Sequence, residues 1–237
     1  MSVTVTKNLV PVISKAQYDD EATDFLSQFC PEALEKPMAV PIYEIARNKM
    51  GLTVLEHRLS EDFSVYGQMC FTGGIAEIYD KEEDEYREIK VGDGTMIIDP
   101  DTYELRNIGC TNNTVAHESY HWFRHRNYHI LRSMLDGVQS VALRCPAEEQ
   151  VERYHKKQSD EYWMERQANG IAPRILMPVQ TVAQMYAWFM GKSSHNLFVD
   201  KGLMPAEKWV VEQMASFYKV SKQSAEIRLS ELGYLRS

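Results

Sequence analysis

Residues 112–125 have the sequence NNTVAHESYHWFRH, in which His117, Glu118 and His121 form the pattern H-E-x-x-H. Residues four apart on a helix lie one turn above each other on the same face, so both imidazoles can reach a single tetrahedral Zn²⁺. Glu118 is displaced by about 100° from His117, which places its carboxylate beside the metal, where it can accept a proton from an activated water. The stretch therefore predicts a metal-binding helix.

Two further histidines, His125 and His129, continue the spacing of four residues along the same predicted helix. Each step of four residues drifts about 40° around an α-helix, so the four histidines cannot all bind one ion. We therefore expect His125 and His129 at the rim of the site, where they can assist substrate binding. Asn112 or Asn113 is expected to cap the start of the helix.

A hydrolytic zinc site needs a third protein ligand and one open position. The extended pattern with a third histidine is absent, because Arg124 and Asn127 occupy its glycine and histidine positions. The other choice is a carboxylate from a second helix, and the downstream candidates are Asp136, Glu148, Glu149, Glu152, Asp160, Glu161 and Glu165. Only Glu165 lies in a segment with the pattern of a buried amphipathic helix, and Asn169 follows one turn later, placed for a hydrogen bond that fixes a ligand. On spacing alone, a surface carboxylate paired with Arg166 explains Glu165 equally well.

The two motifs together resemble the ImmA/IrrE family of metallopeptidases, small cytoplasmic zinc enzymes of bacteria and their mobile elements. The second motif, E-x-x-A-N-x-x-A-x-x-x-L-M-P, is present here as Glu165, Ala168, Asn169, Ala172, Leu176, Met177 and Pro178. The similarity covers roughly residues 40–235, including the strand TMIID before the motif helix. It implies that His117, His121 and Glu165 bind zinc and that Glu118 is the catalytic base.

The resemblance also implies a function, namely limited proteolysis of a regulatory protein such as a helix-turn-helix transcriptional repressor by an intracellular zinc metallo-endopeptidase. The chain departs from the family pattern at Ser119 and Tyr120, and Pro173 should kink the second helix. The long separation of the two motifs predicts that an insertion such as residues 143–160, within the stretch 126–160, forms a lid or loop beside the cleft. A second electrophile is common in such sites, and the candidates are Tyr120, His125, His129, Tyr154, His155 and His195.

The order of hydrophobic patterns predicts an α+β fold with a small antiparallel sheet and a C-terminal helical unit. The family resemblance implies that the sheet packs on a zincin-like helical core. Strands are predicted at 52–59, 64–71, 74–80 and 95–99, and the acidic tract at 80–88 is typical of a solvated hairpin. Helices are predicted at 20–28, 42–50, 114–126, 128–142, 159–176, 178–190, 205–218 and 221–232. The expected units are an N-terminal extension over 1–35, a zinc metallopeptidase domain over 36–190 and a helical unit over 191–237.

The charge balance argues against a general nucleic-acid binder. The 26 Lys and Arg residues are outnumbered by 34 Asp and Glu residues, for a formal net charge of -8, whereas phosphate binding needs clustered positive charge. The C-terminal helices nevertheless resemble a helix-turn-helix, in which Ser221 is expected to cap the second helix. The candidate DNA contacts are Lys219, Lys222, Gln223 and Arg228. The alternative function is therefore a non-catalytic regulator that binds DNA or a protein partner through these helices, although we favour a structural role for them.

The cysteines and the start of the chain predict a compartment. Four cysteines are scattered without a C-x-x-C pair, and the first residues lack the apolar core of a signal peptide. No apolar stretch approaches the length of a membrane span. We therefore expect a cytoplasmic protein with reduced thiols and no membrane partner.

Overall fold

The strands form a mixed four-stranded sheet and a separate hairpin in the computed structural model, which describes residues 4–6, 9–136, 143–146 and 159–235. The strands are β1 Thr53–Glu56, β2 Val65–Cys70, β3 Gly74–Asp80, β4 Glu85–Val91, β5 Thr95–Ile98 and β6 Leu143–Pro146. The order in the larger sheet is β1-β5-β2-β6. Strand β5 is parallel to β1 and antiparallel to β2, and β2 is antiparallel to β6.

The parallel β1–β5 pair departs from the expected antiparallel sheet. All four residues of β5 are buried, whereas β1 is exposed at both ends. A continuous apolar run favours an interior strand with neighbours on both sides, and β1 supplies the second neighbour of β5. The α+β class itself is confirmed.

The hairpin of β3 and β4 pairs residues from Gly74 with Val91 to Asp80 with Glu85. Its turn and the first part of β4 contain the acidic tract at 80–88, and most residues of β4 are exposed. The expected solvated hairpin is therefore confirmed. Strand β4 was not predicted, because its run of charged residues obscures the alternation by which strands are recognised.

The helices are α1 Tyr18–Phe29, α2 Glu32–Glu35, α3 Ile42–Glu44, α4 Ile108–Tyr120, α5 Arg126–Asp136, α6 Asp160–Leu176, α7 Val179–Ser193, α8 Leu197–Asp200, α9 Ala206–Tyr218 and α10 Lys222–Glu231. A π turn at His121–His125 joins α4 to α5 without a break. The two helices predicted at 114–126 and 128–142 are therefore one helical segment, and residues 137–142 lie outside the described part. Within the described residues, no helix is long and apolar enough to cross a membrane.

Helix α4 begins earlier than the sequence predicted, because its N-cap is Asn107. The backbone of Asn107 is extended, and its side chain accepts a hydrogen bond from the Cys110 amide at 3.1 Å. The predicted caps Asn112 and Asn113 are wrong, since both lie inside the helix. The side chain of Asn112 instead donates to the Lys219 carbonyl at 2.9 Å.

The core lies between three helices, with α6 packed against both α4 and α1. Buried side chains from all three join one cluster, and they include Phe25, Leu26, Val115, Ala116, Ala168 and Ile171. The predicted N-terminal extension thus contributes a helix to the core. Helix α6 continues through Pro173 to Leu176, while the predicted kink and the predicted domain boundaries stay predictions.

The C-terminal helices α9 and α10 are fastened to the rest of the chain by a buried arginine. Arg228 on α10 is 1% exposed, donates to the Met177 carbonyl at 3.2 Å and forms an ion pair with Asp19 of α1. The prediction of Arg228 as a DNA contact on an exposed face is therefore wrong. The predicted cap of α10 is confirmed, because the Ser221 hydroxyl accepts a hydrogen bond from the Ser224 amide at 3.0 Å.

A glycine allows the start of α4 to meet the turn between α9 and α10. A Cβ on Gly109 would lie 2.2 Å from the backbone of Val220 and Ser221. The approach therefore requires glycine at this position. It links the C-terminal helices directly to the helix that carries the H-E-x-x-H motif.

Candidate metal centre

Three buried side chains meet between α4 and α6, and we refer to His117, His121 and Glu165 as the metal centre. The Nε2 atoms of His117 and His121 are 2.8 Å apart. Oε2 of Glu165 lies 3.3 Å from His117 Nε2, and Oε1 lies 3.3 Å from His121 Nε2. All three residues are fully buried, and their ligand atoms lie within 4.8 Å of one another. The structure thus brings together the three predicted ligands in a group compatible with a metal ion.

The chemistry of this group fits a divalent cation. Ligand atoms about 2.0–2.1 Å from a tetrahedral zinc are roughly 3.3 Å apart, which both imidazole–carboxylate distances match. Neither oxygen of Glu165 accepts a hydrogen bond from the described residues, although buried polar groups normally have such partners. Burial disfavours ionisation of Glu165, but His121 and His117 outweigh it, so the pKa of Glu165 lies below its ordinary value.

Glu118 is a second fully buried carboxyl group beside the metal centre. In the described part of the chain, neither of its oxygens has a hydrogen-bond partner. Burial raises the pKa of Glu118 well above its ordinary value, and the nearby Glu165 carboxylate raises it further. A cation in the metal centre would oppose this shift, because a nearby positive charge favours the ionised form of a carboxyl group.

Space for the Glu118 side chain is left by Gly67 on β2. A Cβ at position 67 would lie 2.9 Å from Glu118 Oε1 and 2.6 Å from Thr114 Cγ2. Strand β2 can therefore approach α4 this closely only with glycine at this position. Sequence reasoning missed Gly67, and the available signal was a glycine inside an apolar strand, which often marks a close backbone approach.

His125 is fully buried beside the metal centre, so its predicted place at the rim is wrong. Its Nδ1 lies 2.8 Å from His121 Nδ1, and its Nε2 lies 3.0 Å from Oε1 of Gln167 on α6. Nε2 of Gln167 in turn donates to the Pro11 carbonyl at 2.8 Å. Burial lowers the pKa of His125 well below its ordinary value.

The π turn explains why the helical-drift argument failed for His125. Four residues of an α-helix go about 40° past a full turn, whereas the wider π turn falls short of a full turn over the same number of residues. The drift from His117 to His121 is therefore reversed between His121 and His125. His125 stays on the face that looks onto α6.

His129 is also buried rather than at the rim. It is 5% exposed, and its ring stacks on Phe71 with the ring centroids 4.0 Å apart. Burial lowers the pKa of His129 to about 3. The prediction that this residue assists substrate binding from the rim is therefore wrong.

The remaining predicted site residues take other places. The Tyr120 hydroxyl donates to Glu21 of α1 at 3.2 Å, and His195 is exposed on the segment after α7. Tyr154 and His155 lie outside the described residues, as do 147–158 of the predicted lid, whereas residues 143–146 of that segment form strand β6 of the larger sheet. Among the described residues no hydrogen bond joins Asn169 to Glu165, whose oxygens accept none. The predicted supporting role of Asn169 is therefore wrong, and the polar contact that α6 makes beside the metal centre is that of Gln167 with His125.

The fold and the site define an α+β protein with a buried His–His–Glu group that is compatible with a metal ion. No family model matches the sequence, and no curated protein matches it significantly. The metal's identity and the reaction must therefore be argued from the residues themselves.

Proposed function

We propose that this chain is a zinc metallo-endopeptidase. One observation carries the proposal: His117, His121 and Glu165 converge in a buried group, and Glu118 lies beside them with no hydrogen-bond partner in the described part. Two histidines and a glutamate with an open fourth position are typical of hydrolytic zinc sites. The same ligands are those that the resemblance to the ImmA/IrrE family implies.

Zinc is proposed over iron because of Glu118. Two histidines and one carboxylate also hold iron(II) in oxygenases, so the ligand types alone are not decisive. In the H-E-x-x-H pattern, however, the glutamate next to the first histidine serves as the general base of zinc peptidases. An iron oxygenase has no use for a carboxylate at this position.

The residues divide the reaction between them. His117 and His121 would hold the ion through Nε2, and Glu165 would hold it through its carboxylate. When bound, zinc acts as a Lewis acid that activates water and polarises the peptide carbonyl. Glu118 takes the proton of the attacking water and delivers it to the leaving amine.

We propose a regulatory protein as the substrate, specifically a helix-turn-helix transcriptional repressor, and a cytoplasmic location. Both parts of this proposal rest on the family resemblance. The net charge of -8 supports a protein partner over nucleic acid, because phosphate groups would be repelled.

The competing function is a non-catalytic regulator that binds DNA or a protein through α9 and α10. The DNA form of this alternative is weakened by Arg228, whose guanidinium is buried against Asp19 and the Met177 carbonyl. Lys222, a second candidate DNA contact, forms an ion pair with Glu212 of α9 at 2.6 Å. Its ammonium group therefore already has a partner within the chain. The protein-binding form needs no Glu118, so a Glu118 variant separates it from the peptidase.

The test is cleavage of a candidate repressor by the full chain, together with metal analysis. Glu118→Gln keeps the side-chain shape and removes the base, so we expect wild-type zinc content and at least about 100-fold slower cleavage. Ser119→Ala is the matched control, because Ser119 is also fully buried and its hydroxyl makes no hydrogen bond within the described residues. Cleavage by Glu118→Gln at the wild-type rate would exclude Glu118 as the base. Purified protein that holds iron and no zinc would contradict the proposed metal.

A further inference from the structure

A chain of hydrogen bonds runs from the N-terminal segment to His121. The Pro11 carbonyl accepts from Gln167 Nε2 at 2.8 Å, and Gln167 Oε1 lies 3.0 Å from His125 Nε2. His125 Nδ1 then lies 2.8 Å from His121 Nδ1. Gln167 is 3% exposed and both histidines are fully buried. The chain therefore joins residues far apart in sequence inside the core.

The direction of each bond follows from the Pro11 end. A carbonyl oxygen only accepts, so the amide nitrogen of Gln167 faces Pro11 and its amide oxygen faces His125. An amide oxygen also only accepts, so Nε2 of His125 carries a hydrogen. A neutral imidazole has one N–H group, so Nδ1 of His125 is an acceptor and Nδ1 of His121 donates to it.

The consequence reaches the metal centre. With its hydrogen on Nδ1, His121 has a bare lone pair on Nε2, the atom that faces His117 Nε2 and Glu165 Oε1. We propose that Pro11, Gln167 and His125 form a relay that holds His121 in the tautomer required for metal binding. His125 and Gln167 are thus positioning residues, and this inference rests on the proposed metal centre. Metal-binding histidines commonly donate their second N–H to a partner that fixes the ring.

The two histidines of the metal centre differ in this support. Nδ1 of His117 has no hydrogen-bond partner within the described residues, whereas Nδ1 of His121 contacts His125. The ring of His117 is therefore oriented by packing, and that of His121 by the relay. Loss of the relay should act on His121 first.

The first test is zinc affinity of the full chain, measured by competition with a chelator. His125→Phe keeps a planar ring but removes the acceptor for His121, so we expect zinc to bind about 10- to 100-fold more weakly. His129→Phe is the matched control one turn further along, and it should bind zinc like the wild type because its ring can still stack on Phe71. Wild-type affinity in His125→Phe would overturn the relay.

Substitutions of Gln167 provide a second test that leaves both histidines in place. Gln167→Met keeps the length of the side chain but cannot accept a hydrogen bond, whereas Gln167→Glu still presents an oxygen to His125 Nε2. We expect the methionine variant to bind zinc more weakly than the glutamate variant. The opposite order would contradict the relay.

A third readout needs neither variant nor activity. Nitrogen-15 NMR of the metal-free wild type distinguishes the ring tautomers, and we expect the hydrogen on Nδ1 of His121 and on Nε2 of His125. A hydrogen on Nε2 of His121 with none on Nδ1 would refute the relay, even in a protein with peptidase activity. The expected tautomers in a protein that binds zinc but cleaves no peptide would leave the relay in place and refute the proposed function alone.

Discussion

Two polar clusters lie along the same helical segment, and they are built in opposite ways. In the first, which we call the anchor cluster, the Tyr120 hydroxyl and the Arg124 guanidinium donate to Glu21 of α1, and Arg124 also donates to Asp24. In the metal centre, the oxygens of Glu165 accept no hydrogen bond from the described residues. The carboxylates of Glu21 and Asp24 thus accept hydrogen bonds from other side chains, whereas the carboxylate of Glu165 accepts none from the described residues.

The difference separates a stabilising cluster from a binding cluster. A buried carboxylate that accepts hydrogen bonds from the folded chain needs no ligand. Glu21 is such a group, and its hydrogen bonds link α1 to the helical segment that begins with α4. A buried carboxylate without donors costs free energy until something outside the chain neutralises it. Substitutions in the anchor cluster should therefore lower the free energy of unfolding. Substitutions in the metal centre should lower the affinity for the metal ion.

The largest expected effect is on metal binding. Glu165→Ala removes the single carboxylate of the metal centre, so zinc affinity should fall by more than about 100-fold, beyond the loss typical of a supporting residue. The metal-free protein should become no less stable, because a buried carboxylate without donors costs free energy. Glu161→Ala, on the same helix, is the charge-matched control. Stoichiometric zinc in Glu165→Ala would remove Glu165 from the ligand set.

The next effect is on stability. Arg124→Met leaves Glu21 and Asp24 without their guanidinium partner, and the free energy of unfolding in urea should fall by about 2–3 kcal/mol, less than for a fully buried pair. Zinc affinity should not change. Arg87→Met is the control, because its pair with Asp80 lies on the exposed hairpin and such pairs contribute little. Loss of zinc along with stability in Arg124→Met would show that the two clusters are not independent.

The smallest effect is expected next to Glu118. Gly67→Ala would place a Cβ 2.6 Å from Thr114 Cγ2 and 2.9 Å from Glu118 Oε1, so these side chains must shift. We expect hydrolysis to slow by about tenfold, within the roughly 100-fold that a 1 Å misplacement can cost. Zinc content should stay at the wild-type level. Gly92→Ala is the control, because a Cβ there meets nothing within 4 Å in the described structure. Unchanged hydrolysis in Gly67→Ala would mean that the position of Glu118 does not limit the rate.

The pairing of His117 with His121 could be predicted from the sequence because one helix determines both positions. Spacing alone did not decide between Glu165 as a ligand and Glu165 as a surface carboxylate, since nothing local relates α6 to α4. The same reason as for the histidine pair explains the correct predictions of the strand at 74–80, of the solvated hairpin tip after it and of the cap of α10 at Ser221. Each depends on residues close together in the chain.

The contacts that sequence reasoning missed all join distant segments. Pro11 reaches Gln167, Gly67 faces Glu118, and Arg228 is buried against Asp19. The amino-acid sequence by itself determined the α+β class, the motif helix and the two imidazoles on one of its faces, because helical and strand periodicity are local properties. Only the tertiary structure decided which acid completes the metal centre and which residues support it, because those contacts depend on how separate elements pack.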